Sequence, residues 1–286
     1  MKNVSEIINQ GNKNAELPAW LNMRHAWSAS DAKRDEGLAY PDNVIQIKNL
    51  DYKKEPDHQK WCEAVELLAS QRTMGEKTSE KYSRIFYYNE PDDASNLDSE
   101  RYASNSLFDI YYPAELDAQT SYPVIVSVHG GGWFYGDKEL YSYYCCHLAS
   151  KGFAVVNFNY RLAPQNKYPA AIEDVAYLIR YIHENAGVLH LDMEKFYMLG
   201  DSAGAQLTAN YCIIAGNAAY RNKLDFFTYD RLPKAVCLNC GAYEMDKRED
   251  NISDWYIKNE DGSYAVSEEQ RKLFLSQLEY LTKDFP

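Results

Sequence analysis

The pentapeptide Gly200-Asp201-Ser202-Ala203-Gly204 constrains what this chain can fold into more than any other stretch. It follows the apolar run 195–199, KFYML, which reads as a buried strand. It opens 202–216, an apolar segment suited to a helix. A strand that passes straight into a helix must turn within a residue or two, so the corner residue is forced into a strained backbone with φ above zero. Glycines two positions to either side let the neighbouring backbone pass without a Cβ clash. The pattern predicts Ser202 at that corner, its hydroxyl at a helix N-terminus where free N–H groups and the helix dipole favour developing negative charge.

The rest of the chain supplies a sheet for this corner. YPVIVSVHG at 122–130 and FAVVNFNY at 153–160 read as buried strands, RIFYY at 84–88 and SLFDIYY at 106–112 as further strands, and KAVCLNCGAYE at 234–244 starts as one more. Helical spacing marks 138–150, the segment from Pro169 to about Gly187, and SEEQRKLFLSQLEYL at 267–281. Strands alternating with helices of this length predict an α/β fold: a mostly parallel sheet of about six strands with helices on both faces. Residues 1–80 are polar and Trp-bearing with broken helical patterns. Their clearest helix is 57–72, with Trp61, Val65 and Leu68 on one face, and VIQIK at 44–48 alternates like a short strand. The expected organisation is an N-terminal arm or partial cap over 1–80 and one α/β domain over 81–286.

A second glycine motif, His129-Gly130-Gly131-Gly132-Trp133, also ends a buried strand. Three successive glycines let backbone N–H groups turn toward one point. With the Ala203 N–H they would hold the oxyanion of a tetrahedral intermediate. No Lys-Ser/Thr pair follows, as a phosphate-binding P-loop requires. Asp201 flanks Ser202. Trp133, Phe134 and Tyr135 follow the glycines and are equally readable as pocket walls or as packing.

These two motifs, with Tyr160-Arg161-Leu162-Ala163-Pro164, Tyr168-Pro169-Ala170-Ala171 and Glu173-Asp174, resemble the hormone-sensitive-lipase-like carboxylesterase branch of the α/β-hydrolases over about 106–244. Gln165 stands where that branch has Glu. The resemblance implies an α/β-hydrolase sheet and hydrolysis of short acyl esters through an acyl-enzyme. It implies Ser202 as nucleophile and Gly131, Gly132 and Ala203 as the oxyanion hole. His129, with Gly130, would steady the loop, and Arg161 and Asp174 would be structural. It implies no metal and no organic cofactor. It also calls for an acidic residue and then a His after the nucleophile. The histidines are at 25, 58, 129, 147, 183 and 190, so none follows Ser202. The expectation is a sheet without its last two strands and without the triad acid and base. The alternative is an inactive or truncated relative that binds small acyl ligands without turnover.

Charge and composition narrow the partners. The formal net charge of −12 argues against nucleic acid and anionic membrane surfaces, which need clustered Lys and Arg. No stretch approaches the roughly 18 consecutive apolar residues of a membrane span. The N-terminal MKNVSEIINQGNKN has no apolar signal core. The expectation is a cytoplasmic protein with six free thiols acting on a small-molecule ester. Cys237 and Cys240 are expected as packed thiols on a buried strand rather than metal ligands. With the next strand missing, 234–240 is expected to lie as an exposed apolar sheet edge and a point of self-association.

Overall fold

The computed structural model describes residues 18–55, 57–73, 84–89, 96–114, 120–243, 257–258 and 264–265. The elements in chain order are α1 (Ala19–Asp35), β1 (Val44–Asp51), α2 (His58–Thr73), β2 (Arg84–Tyr87), α3 (Glu100–Ser104), β3 (Leu107–Pro113) and β4 (Tyr122–Val128). There follow a 3₁₀ turn (Lys138–Tyr141), α4 (Ser142–Ala149), β5 (Ala154–Phe158), α5 (Ala170–Glu184), β6 (Leu191–Asp201), α6 (Ala203–Gly216), α7 (Ala218–Arg221) and β7 (Ala235–Asn239). A two-residue pair, β8 (Ile257–Lys258) and β9 (Tyr264–Ala265), completes them.

Strands β1 to β7 form one seven-stranded sheet in the order β2-β1-β3-β5-β4-β6-β7. The pairs β5–β4, β4–β6 and β6–β7 are parallel, as is β1–β2, while β3 runs antiparallel to both its neighbours. Parallel neighbours need crossovers, and the helices supply them. In α5, Ala171, Ile172, Val175, Leu178, Ile179 and Ile182 recur at helical spacing and are all buried against the sheet. On the other face α4 buries Cys145, Cys146 and Ala149 against Val44, Tyr111 and Val155. Because both faces are covered, β5 is buried along its whole length.

The N-terminal stretch departs from the arm or cap expected there. β1 lies inside the sheet between β2 and β3, and its first seven residues are buried, Gln46, Lys48 and Asn49 among them. Lys48 reaches the fully buried Asp109 at 3.6 Å and also pairs with Glu139, so polar side chains in a central strand are matched by charges from elements far along the chain. In α2, Trp61 is buried and meets Tyr112 of β3 edge-on. The helix expected over 138–150 is divided. Asp137 caps a 3₁₀ turn by accepting from the Glu139 N–H, and α4 starts only at Ser142. The helix expected over 267–281 lies outside the described residues. Among the described residues no helix is long and apolar enough to cross a membrane.

Candidate active site

The corner between β6 and α6 has the strain its sequence predicts. Ser202 sits at φ 50° and ψ −115°, and its side chain is exposed. A Cβ on Gly200 would lie 2.4 Å from the Gly204 carbonyl oxygen. One on Gly204 would lie 2.0 Å from the Val128 carbonyl oxygen, so the elbow packs directly on the end of β4. The Ser202 N–H donates to the Asn239 carbonyl at 2.7 Å, and its carbonyl accepts from Ala205 and Gln206 at 3.1 and 3.2 Å. The strained residue is thus tied to the last residue of β7 and to the first turn of α6.

The loop leaving β4 is shaped by the same logic. Gly131 and Gly132 have φ of 120° and 59°, and Trp133 follows at 66°. The Gly131 carbonyl accepts from the Tyr135 N–H at 2.9 Å, a turn so close that a Cβ on Gly131 would sit 2.0 Å from the Tyr135 oxygen. His129 lies beneath the loop, fully buried. Its Nδ1 donates to the Gly130 carbonyl at 2.7 Å, and its ring stacks on Tyr160 at 4.1 Å. Burial pushes the imidazole down to about 4, so the ring is neutral at physiological pH. The Tyr160 hydroxyl donates to the His129 carbonyl at 2.9 Å. Trp133 points into the core, 1% exposed, with its Nε1–H donated to Gln206 of α6 at 3.1 Å. Of the three aromatic residues open to either role, Trp133 and Phe134 pack and Tyr135 reaches the cavity.

That cavity measures about 290 Å³ and joins both motifs. Ser202 and Asp201 come from the elbow, and Gly130 and Gly131 from the loop. Tyr135, Leu140 and Tyr141 come from the segment after it, and Trp27, Ser30, Asp31 and Arg34 from α1. Gly132 and Ala203 are buried beside their lining neighbours. Tyr141 bridges the two motifs. Its hydroxyl donates to Asp201 Oδ2 at 2.7 Å and accepts from the Gly130 N–H at 3.4 Å. A second cavity of about 350 Å³ adjoins the first and shares Arg34, Leu140, Tyr141 and Asp201 with it. A larger cleft of about 450 Å³ between the end of β1 and α5 is lined by charged and aromatic side chains, with no Ser, Cys or His among the described residues.

Helix α1 is the part of the site that sequence reasoning missed. It is anchored by Arg24, fully buried, whose guanidinium donates to the carbonyls of Phe134, Leu97 and Ala163 at 2.5, 2.9 and 2.9 Å and to Gln165 Oε1 at 2.9 Å. It also lies over the Trp20 ring at 4.5 Å. Desolvation lowers it to about 10, and it remains charged at neutral pH. Gln165 therefore has a direct role where the resembled branch has Glu.

None of the histidines lines the Ser202 cavity among the described residues. His25, on α1, pairs with Asp98 at 2.7 Å at the surface. His147 meets Tyr143 edge-on, and His183 bonds the Tyr229 hydroxyl at 2.6 Å. Arg161 pairs with Asp174 at 2.8 Å and Glu173 at 2.9 Å, and none of the three lines the Ser202 cavity. Cys237 and Cys240 are free thiols but exposed, a correction to the packed strand expected there. β7 is the last strand of the sheet, and all five of its residues are exposed. No group of His, Cys, Asp and Glu among the described residues could hold a metal ion.

Comparison with known proteins gives a consistent set of neighbours. The BD-FAE family model matches residues 108–272, more than half of the chain. The esterase LipI of Mycobacterium tuberculosis is 37% identical over 101 residues, which is 35% of this chain and 32% of that protein. The carboxylesterase NlhH of the same species is 36% identical over 101 residues, 35% of this chain and 31% of its own length. The ethyl acetate hydrolase of Pseudomonas putida is 31% identical over 137 residues, 47% of this chain and 42% of that protein. The matched part of the chain thus spans about a third of the first curated relatives. Among solved structures, esterase B from Lactobacillus rhamnosis superposes with a TM-score of 0.61 at 21% identity, over 93% of this chain and 66% of that one, which establishes the fold.

Proposed function

The chain belongs to the BD-FAE family and has the α/β-hydrolase fold, and on that premise we propose that it serves carboxylic-ester hydrolysis with Ser202 as the nucleophile. One observation carries the reading. A strained serine at a strand-to-helix corner opens into the same cavity as the glycine loop that ends the neighbouring parallel strand. In this reading Ser202 Oγ attacks the ester carbonyl and the alcohol leaves. The acyl-enzyme is then hydrolysed. The N–H groups of Gly131, Gly132 and Ala203 take up the charge of the tetrahedral oxyanion. His129, neutral and locked to Gly130, holds the loop rather than moving a proton. The cavity of about 290 Å³ suits short acyl groups. The exposed edge β7 supports a further proposal, self-association through that strand.

The test is reaction of the chain 1–286 with a p-nitrophenyl phosphonate, read by intact-mass spectrometry, beside turnover of p-nitrophenyl acetate. A single phosphonyl adduct, lost in Ser202→Ala, is expected. Turnover is expected to be slow, because no imidazole lines the cavity among the described residues, and a serine without a base retains only the roughly 10³–10⁴-fold advantage over water that binding and oxyanion donors provide. An adduct that persists in Ser202→Ala rejects the nucleophile assignment. Turnover at tens per second shows a base within this chain.

A further inference from the structure

We propose that the Ser202 cavity selects esters carrying a positively charged group, such as a quaternary ammonium, over uncharged isosteres; this rests on the reading of Ser202 as nucleophile. The charges that line the two adjoining cavities do not balance. Among the described residues, Asp31 and Asp35 of α1 and Asp201 beside the nucleophile contribute three carboxylates, against the one guanidinium of Arg34. That guanidinium is engaged internally. Nε and one terminal nitrogen donate to the two oxygens of Asp35 at 2.7 and 2.8 Å, and the other donates to Asp31 at 2.8 Å. An anionic substrate group would meet a cation already claimed by two carboxylates, while a cationic group meets two uncompensated formal charges.

Neutral donors hold these carboxylates in place without cancelling them. Tyr135 donates to Asp31 Oδ2 at 2.8 Å and Tyr141 to Asp201 Oδ2 at 2.7 Å. Burial first, and the carboxylate partner next, push both phenols upward, so they stay protonated donors. The walls add the second element of cation recognition. Partly buried Trp27 lines the cavity, meeting the buried Tyr135 edge-on at 5.7 Å, and supplies the ring whose quadrupole attracts an ammonium. A sugar ester would use the same acceptors and rings but carries no charge, so a preference that depends on charge and fades with salt separates the two.

Two p-nitrophenyl methylphosphonates provide the test, one with a 2-(trimethylammonio)ethyl ester arm and one with its uncharged 3,3-dimethylbutyl isostere. Ser202 labelling rates are normalised to the hydroxide reaction of each probe. The net negative charge lining the two adjoining cavities, in largely aqueous surroundings, gives about a five- to tenfold preference for the cationic probe at low salt, falling as ionic strength rises. Asp31→Asn should bring the ratio toward one. A wild-type ratio of one, a ratio favouring the uncharged arm, or a preference unmoved by salt and by Asp31→Asn overturns the proposal. Should neither probe label the chain, the nucleophile reading fails. The charge preference is then decided by titrating choline against 3,3-dimethylbutan-1-ol and following tryptophan fluorescence, with Trp27→Phe as control. Tighter binding of choline supports the proposal, and equal or weaker binding rejects it.

Discussion

The ring of His129 shows how much of the site is set by single residues. Its Nδ1–H is committed to Gly130, and its Nε2 is buried with no partner among the described residues, so a second proton there would have no acceptor. The folded ring is pushed from 6.5 to about 4, and the stability consequence has a definite sign. Above pH 6.5 the ring is neutral whether the chain is folded or not. Between pH 6.5 and 4 the unfolded chain binds a proton that the native state refuses, so stability falls as pH falls, by on the order of 3 kcal/mol across the window. Urea midpoints taken from pH 7 to pH 4 should drop less steeply in His129→Asn than in the wild type; parallel slopes would show that this ring does not titrate as its burial requires. Ser202 and His129 were legible in the sequence because their constraints are local: a glycine two residues away, a strand just before. Tyr141 was not, because what gives it a place in the site is a carboxylate sixty positions on, and no spacing rule marks it.

At the scale of elements, α1 marks where periodicity stops being informative. Trp20, Arg24, Trp27, Asp31 and Arg34 recur at steps of three and four, so they share one face, the face that meets the rest of the protein. Two cations and a carboxylate stand on it where an amphipathic pattern would place aliphatic residues, so hydrophobic spacing reads the segment as a broken helix. α5 is the opposite case, and its span was close to legible because its inward positions are nearly all apolar. The charged face of α1 is tolerable because the Arg24 guanidinium is met by three carbonyls and an amide oxygen. Arg24→Met removes the donor and leaves those buried acceptors bare, which should destabilise the chain by about 2–4 kcal/mol. Hydrogen exchange locates the damage. Amides of 19–35 should exchange faster in the variant while those of β4 and β6 keep their protection, and a uniform rise over all elements would mean that Arg24 serves the whole core rather than the docking of α1.

Taken as a whole, the molecule is built on one mixed sheet with β2 at one edge and β7 at the other. The alternation of strands and helices made the parallel half legible. The position of β1 between β2 and β3 was not, because a strand carrying Gln46, Lys48 and Asn49 lacks the apolar run that marks a buried one. β7 was half legible: its place as an uncovered edge was expected, while the packing expected of its thiols was not found, since Ala235-Val236-Cys237-Leu238-Asn239 is exposed along its length, with Val236 and Leu238 at 41% and 37%. A strand at a sheet edge pairs its backbone on one side only, so its free N–H and C=O groups form a template for another strand. Here the template also carries apolar side chains, which the proposed self-association would cover. Antiparallel pairing about a two-fold axis through Cys237 would set Val236 of one copy opposite Leu238 of the other and the two Cys237 residues across from each other. Sedimentation equilibrium of the chain 1–286 should therefore show a monomer–dimer equilibrium. Val236→Lys, which places an ammonium beside the axis in both copies, should shift it to monomer without lowering the unfolding free energy by more than about 0.5 kcal/mol, as expected of an exposed position. A mild oxidant should trap the wild-type dimer through Cys237 and fail to trap Cys237→Ser. A wild-type chain that stays monomeric at its highest soluble concentration, or a dimer indifferent to both substitutions, would mean that β7 is covered by other means and that this edge is not where the molecules meet.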